Sequence, residues 1–450
     1  MSQRAPNHDM LQKNDFAYPL LLLLQAVIAL LALAQSDPSL AQFLRDDIGH
    51  AAQHVPQVAH TQVAALNAPQ MIPQPLPSTR IQASQEPPPQ PTPQPPNPST
   101  TPLTAAVIDA VQAVFTYHSQ KCDDIDIPDT PARAFRDASG RVVLIASHYV
   151  NRRAIGSTLE SVVHQCPIIY NSHNDPVQAG YRYHEWLMAP YTLDGINVYA
   201  IVHNEWYGSL TGQQCDPGAD WINGFTLAVS HDGGATFAQP SAYLVRYPIT
   251  AWRSSFACTN ANSARYGDYN GTNIVSMGGL YYRIFDYVAE PGVNNVGQSY
   301  QCLMRTDNLA DASSWEVWTE SGYARSATAP CAPLSRLGSG WPSTAYSLSY
   351  NTHLHAYVAL IDNVSGTFYF QTSPDLLTWS GPAAITGTPP GRISYPSLLD
   401  PDDTSRNFEN SGQTPYLYFT RFNNGSGLDR DLLRVQITFN GSSTSPAPGP

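Results

Sequence analysis

Carboxylates crowded against aromatic side chains are the residues of this chain best suited to chemistry. One segment is Asp123-Asp124-Ile125-Asp126-Ile127-Pro128-Asp129-Thr130-Pro131. A second set comprises Tyr183-His184-Glu185-Trp186 and, further on, His203-Asn204-Glu205-Trp206-Tyr207. Side-chain alternation along a strand puts His203 and Glu205 on one face and Asn204 on the other. A carboxyl beside tryptophan and tyrosine is desolvated, which raises its pKa towards that of a general acid. Glu185 and Glu205 are therefore the proton-donor candidates, each with a hydrogen-bonded structural role as the alternative. Aromatic faces also stack on the C–H faces of sugar rings, which makes Trp206 a binding candidate and His203 its polar neighbour. Arg133, on the strand after the aspartate segment, has the planar donor fork that binds a hydroxyl or carboxylate bidentately. Asp268, in Arg265-Tyr266-Gly267-Asp268, either orients a ligand or caps its turn.

The elements that position these residues are strands. Gly224–Val229 alternates and ends in Ser230-His231-Asp232-Gly233-Gly234-Ala235-Thr236-Phe237. There the Asp232 carboxylate accepts backbone N–H groups, the glycines permit positive φ and Phe237 plugs the crevice below. Thr372-Ser373-Pro374-Asp375-Leu376-Leu377-Thr378-Trp379 repeats the pattern without glycines, and Arg305-Thr306-Asp307-Asn308-Leu309 with Trp315 is a third copy. Equivalent turns after equivalent strands mark a radial repeat. The strand segments sort into five sets of about four, and the last set needs an N-terminal strand from within Val107–Tyr117 to close it. Ala105–Phe115 reads equally as helix. The expected fold class is all-β, a five-bladed β-propeller, with six blades as the alternative.

The Ser230–Phe237 turn resembles the Asp-box of sialidases and related carbohydrate-active propellers. The architecture is similar to the superfamily of arabinanases, β-xylosidases, invertases and levansucrases. That resemblance implies an exported glycoside hydrolase with a central funnel, an Asp base or nucleophile at the first inner strand and a Glu acid. Asp126 or Asp129 matches the Asp position. Tyr350, Arg392 and Tyr395 fall at later inner strands as funnel-lining candidates. The implied partner is an oligo- or polysaccharide, and no cofactor or metal is expected. The rival expectation is a propeller that binds carbohydrate without turnover.

The ends of the chain differ from its middle. Residues 1–34 contain the apolar run Ala17–Ala34, which closes on Ala32-Leu33-Ala34 as a signal peptide would, or serves as a membrane anchor. Residues 35–102 form a linker, proline-rich from Pro73 to Pro102 and expected to be extended. The propeller is assigned to 103–439 and a disordered tail to 440–450. A net charge of −12, with Lys13 and Lys121 the only lysines, argues against nucleic-acid binding. Six cysteines, all between Cys122 and Cys331, predict at least one disulfide in a secreted, periplasmic or cell-surface setting.

Overall fold

The computed structural model describes residues 103–211, 221–248, 265–289, 299–325, 327–338, 344–362, 366–424 and 427–441. The expected leader and linker, the last nine residues, Cys215 and Cys258 lie outside the described residues. Two N-terminal strands, β1 (Thr104–Val107) and β2 (Gln112–Phe115), are followed by one helical turn, Tyr117–Gln120. The stretch that reads as either helix or strand is thus strand, and it pairs antiparallel with the final strand of the chain.

The remaining strands follow in consecutive groups. The first holds β3 (Arg133–Arg136), β4 (Val142–Ile145), β5 (Val150–Gly156) and β6 (Val163–Asn171). The second holds β7 (Glu185–Thr192), β8 (Val198–Tyr207), β9 (Trp221–Ser230) and β10 (Leu244–Arg246). The third comprises β11 (Arg265–Tyr269), β12 (Val275–Met277), β13 (Leu280–Val288), β14 (Ser299–Thr306), β15 (Glu316–Thr319) and β16 (Gly322–Ala324). The fourth has β17 (Thr344–Asn351), β18 (Ala356–Asp362), β19 (Phe368–Ser373) and β20 (Ala383–Thr386). The fifth has β21 (Ile393–Leu399), β22 (Asn410–Ser411), β23 (Tyr416–Phe422) and β24 (Arg430–Asn440). Most strands that follow one another within a group pair antiparallel, but β11 and β12 both pair with β13, β21 pairs with β23, and the two-residue β22 pairs parallel with β17 of the fourth group. Strand β11 pairs parallel with β9 and antiparallel with β13, so it joins the second group to the third. Strand β1 pairs with both β24 and β20, joining the fifth group to the fourth.

The core lies between the groups rather than within one layer. Phe135, Val143 and Ile145 of the first group pack with Leu187, Val202 and Phe237 of the second. Ile201 and Leu227 meet Phe285 and Met304 of the third, and Ile284 and Leu303 meet Leu348 and Ile361 of the fourth. Leu360 and Phe370 meet Leu417 and Val435 of the fifth, whose Leu399 and Tyr418 return to Ala134 and Leu144 of the first. The fourth sheet is covered on both faces, which is why β18 (Ala-Tyr-Val-Ala-Leu-Ile-Asp) is apolar up to its final Asp362: alternate residues enter different core clusters. This is the all-β propeller class.

The turns after β9, β14 and β19 carry Asp232, Asp307 and Asp375. Asp232 accepts from the Ser230 hydroxyl, from Ala235 N and Thr236 N, and from the Thr236 hydroxyl, at 2.7–2.9 Å. Gly234 has φ +80°, and a Cβ there would stand 2.6 Å from the Phe135 ring, so two constraints select glycine. Asp375 accepts Ser373 Oγ, Leu377 N and Thr378 N in the same manner, above the buried Trp379. The third turn is built otherwise: Asp311 accepts from Ser313 N and Thr306 bonds Ser314, while Asp307 is exposed. Two disulfides, Cys122–Cys166 and Cys302–Cys331, occur among the described residues.

Candidate active site

Asp129 sits in the turn that enters β3. Its carboxylate accepts from Trp186 Nε1 (3.2 Å), from the Tyr395 hydroxyl (3.2 Å) and from Arg430 Nη1, and His148 Nε2 stands 3.5 Å away. Those partners come from four places: β7, β21, the first residue of β24 and the turn between β4 and β5. Tyr395 has φ +59° and lies where the β21–β23 register shifts, so an irregular strand aims its hydroxyl at Asp129. The Asp129 side chain keeps 14% of its surface open.

Glu205 projects from β8. Its Oε1 lies 3.2 Å from His203 Nε2, and its Oε2 accepts the Tyr207 hydroxyl at 2.7 Å. Residues 203, 205 and 207 share one strand face, and His203 stands opposite Trp186 across the β7–β8 ladder. Glu205 and Asp129 therefore flank the same Trp186. The charges of both carboxylates act on His148, Tyr207 and Tyr395. Burial pushes the Glu205 carboxyl up, but the hydrogen bond and charge of His203 and the Tyr207 hydroxyl outweigh it, leaving the group below the ordinary value of 4.5. Burial drives the Tyr207 and Tyr395 hydroxyls well above their ordinary range, so both stay protonated donors. The direction at Glu205 reverses the expectation that aromatic neighbours raise it. Two donors to the ionised form count for more than desolvation.

Several expected site residues belong elsewhere. Glu185 faces away from Trp186, as its adjacent position on β7 requires, and has no exposed surface. It accepts from the Tyr170 hydroxyl, His173 N and Gln239 Nε2, with His173 Nδ1 also at 2.8 Å. Asp126 is buried beneath the Cys122–Cys166 bridge. Burial raises its carboxyl, and His164, Cys122 N and Arg152 together hold it below the usual range. Its cluster with Cys122 and His164 has metal-ligand residue types, but the cysteine is committed to the disulfide. Asp268 forms a buried ion pair with Arg246 at 2.8 Å. Trp206 points to the opposite face from Glu205, is buried, and donates to Pro176 O. Tyr350 packs on Tyr357 at the far end of β17, where it meets the Glu409 backbone. Arg392 is exposed with its guanidinium 4.5 Å from the centre of the Phe422 ring, one ring removed from Arg430.

Arg133 is buried. Its five donor contacts reach Met188 O, Ala132 O, Ser397 Oγ, Gly271 O and Tyr346 O. Those acceptors lie in or beside strands of all five groups, so the guanidinium ties the groups together. Arg430, His148, Tyr149 and Tyr207 complete the site and were not singled out from sequence as binding residues. Arg430 sits in an ordinary Asp-Arg-Asp run, and no spacing marks it.

No protein-family model and no curated protein matches this chain. Among solved structures, the chain is similar to a protein of unknown function from Dyadobacter fermentans (TM-score 0.46, 11% identity, 74% of this chain and 100% of that one). It is also similar to a family 117 glycoside hydrolase from the marine bacterium Zobellia galactanivorans (0.47, 8%, 75% and 90%). A third is the catalytic domain of the Coprinopsis cinerea GH62 alpha-L-arabinofuranosidase (0.42, 11%, 76% and 98%).

Proposed function

We propose that this protein is a glycan-active hydrolase whose working carboxylates are Asp129 and Glu205. The observation that carries the reading is their convergence: two partly open carboxylates from different strand groups flank one tryptophan and act on the same three side chains. Tyr149, Tyr183, Trp186 and Tyr207 supply ring faces of the kind that stack on sugars. Asp129, paired with Arg430, serves as base or nucleophile. Glu205 gives its proton to the oxygen of the bond being broken as the C–O bond of the glycoside opens. Asp129 either attacks the anomeric carbon or removes a proton from the attacking water.

Because Glu205 lies below 4.5, its acid form is scarce at neutral pH. The kcat/KM of the free enzyme is therefore expected to be highest on the acid side of pH 5 and to fall as pH rises. Export is part of the proposal and is supported by the two disulfides. The same ionised Glu205 favours a second reading, a propeller that binds carbohydrate without turnover. A screen of aryl glycosides and polysaccharides at pH 4–7, on wild type, Glu205→Gln and Asp129→Asn, tests both. Turnover that drops about 10²–10⁴-fold in each variant supports the hydrolase. Sugar binding with no turnover in the wild type supports the binding propeller, and neither activity nor binding ends both readings.

A further inference from the structure

His184 precedes β7 with φ +43°, a left-handed conformation that costs a histidine energy and persists only where surroundings hold it. The surroundings are aromatic. Its ring lies flat on Tyr149 (centroids 4.3 Å apart, planes 2° apart) and against Tyr183 (4.5 Å, 30°), with the Tyr207 ring edge-on at 5.0 Å. Its carbonyl and that of Tyr183 both accept the Glu205 N–H at 3.1 Å. Burial pushes the imidazole down to about 4, so the ring is mostly neutral at pH values above that. Nδ1 is buried without a partner, and Nε2, which is not sealed, also has no hydrogen-bond partner, both among the described residues. The fold thus pays for a strained, clamped, uncharged ring beside Glu205 that makes no hydrogen bond of its own.

We propose that His184 is a specificity residue of this site, its Nε2 making a hydrogen bond to one hydroxyl of the bound sugar. The inference rests on the carbohydrate reading above. A neutral imidazole suits a hydroxyl, which both donates and accepts, better than it suits a carboxylate or phosphate. The tyrosine stack fixes the ring plane, so a single hydroxyl position is selected rather than the whole ring face.

The test uses His184→Phe, which keeps the stacked ring and removes both nitrogens, in a panel of methyl pyranosides and furanosides and the monodeoxy derivatives of whichever binds. Wild type is expected to lose about 3–10-fold in affinity for one deoxy position, the size of one neutral hydrogen bond. His184→Phe should bind the parent glycoside that much more weakly and lose nothing further at that position, with its Tm retained. Because φ is positive, His184→Asn serves as a second variant that tolerates the backbone, and it should show the same loss of discrimination. If the variants remain sensitive to every deoxy position that wild type senses, the proposal is overturned while the carbohydrate reading stands. If wild type binds none of the glycosides, the carbohydrate reading itself fails.

Discussion

Glu185 and Glu205 look alike in sequence, each next to a tryptophan and within two positions of a histidine, yet a single strand register separates their fates. Removing the fully buried Glu185 carboxylate takes the acceptor from the buried Tyr170 hydroxyl and from the part-buried His173 N–H and Gln239 amide. Glu185→Ala is expected to cost roughly 3 kcal/mol or more in denaturant unfolding, whereas Glu205→Gln leaves stability nearly unchanged and removes turnover. Equal stability losses in the two variants would contradict the separation. Asp286 offers a test by pH. Burial raises its carboxyl from 3.8 to about 7, despite hydrogen bonds from Thr344 and Gln301 and the nearby Arg283. The folded state therefore holds a proton that the unfolded chain has already released. The sign follows: this group stabilises the fold at low pH and costs stability progressively as pH rises from about 4 to about 7. Asp286→Asn, neutral at every pH, should flatten that part of the profile of Tm against pH. An unchanged slope would place the titration elsewhere.

Turns show how far a local motif extends. Asp232 and Asp375 each organise a turn through several accepted hydrogen bonds, and Asp307, at the equivalent point after β14, organises none. Asp232→Ala should cost about 1–3 kcal/mol, since it leaves turn N–H and hydroxyl groups without their acceptor. Asp307→Ala should stay within about 0.5 kcal/mol, as for an ordinary surface position. Thermal unfolding of the two variants side by side measures the contrast. Strand β5 (Val-Asn-Arg-Arg-Ala-Ile-Gly) is instructive in the same way. Its buried Asn151 donates to Tyr170 O and Glu185 O, and its buried Arg152 donates through Nε and Nη2 to Cys166 O and Asp123, partners that only the folded sheet supplies.

Across the whole molecule, one guanidinium links the strand groups. Arg133 stays protonated at neutral pH although burial, with Arg283 near it, lowers it to about 9. An ammonium has three donors where this site uses five contacts. Leaving two buried acceptors unpaired at about 1–3 kcal/mol each, Arg133→Lys should cost roughly 2–6 kcal/mol. The loss should appear as cooperative destabilisation of the whole domain, because the acceptors span it. A small, local loss seen only in exchange of the β3 amides would refute that role.

What the sequence determined by itself was the pattern set by nearest neighbours. Alternating apolar strands, the spacing of Asp-containing turns and the aromatic surroundings of Glu205 are local, and they sufficed for an all-β chain of repeated four-strand groups. The closing role of the N-terminal strand followed from counting, since the last group lacked one. Which carboxylates meet was decided by tertiary structure. Asp126 and Asp129 are three residues apart in one loop, but the Cys122–Cys166 bridge and His164 hold the first beneath the surface, while Arg430, some 300 residues later in the chain, receives the second. Arg133 could not be distinguished from a ligand-binding arginine by its neighbours, because its acceptors are backbone carbonyls scattered over the whole chain. Side-chain type and strand phase are written locally. Burial, partner and charge state are set by what the ring of strands brings opposite each residue.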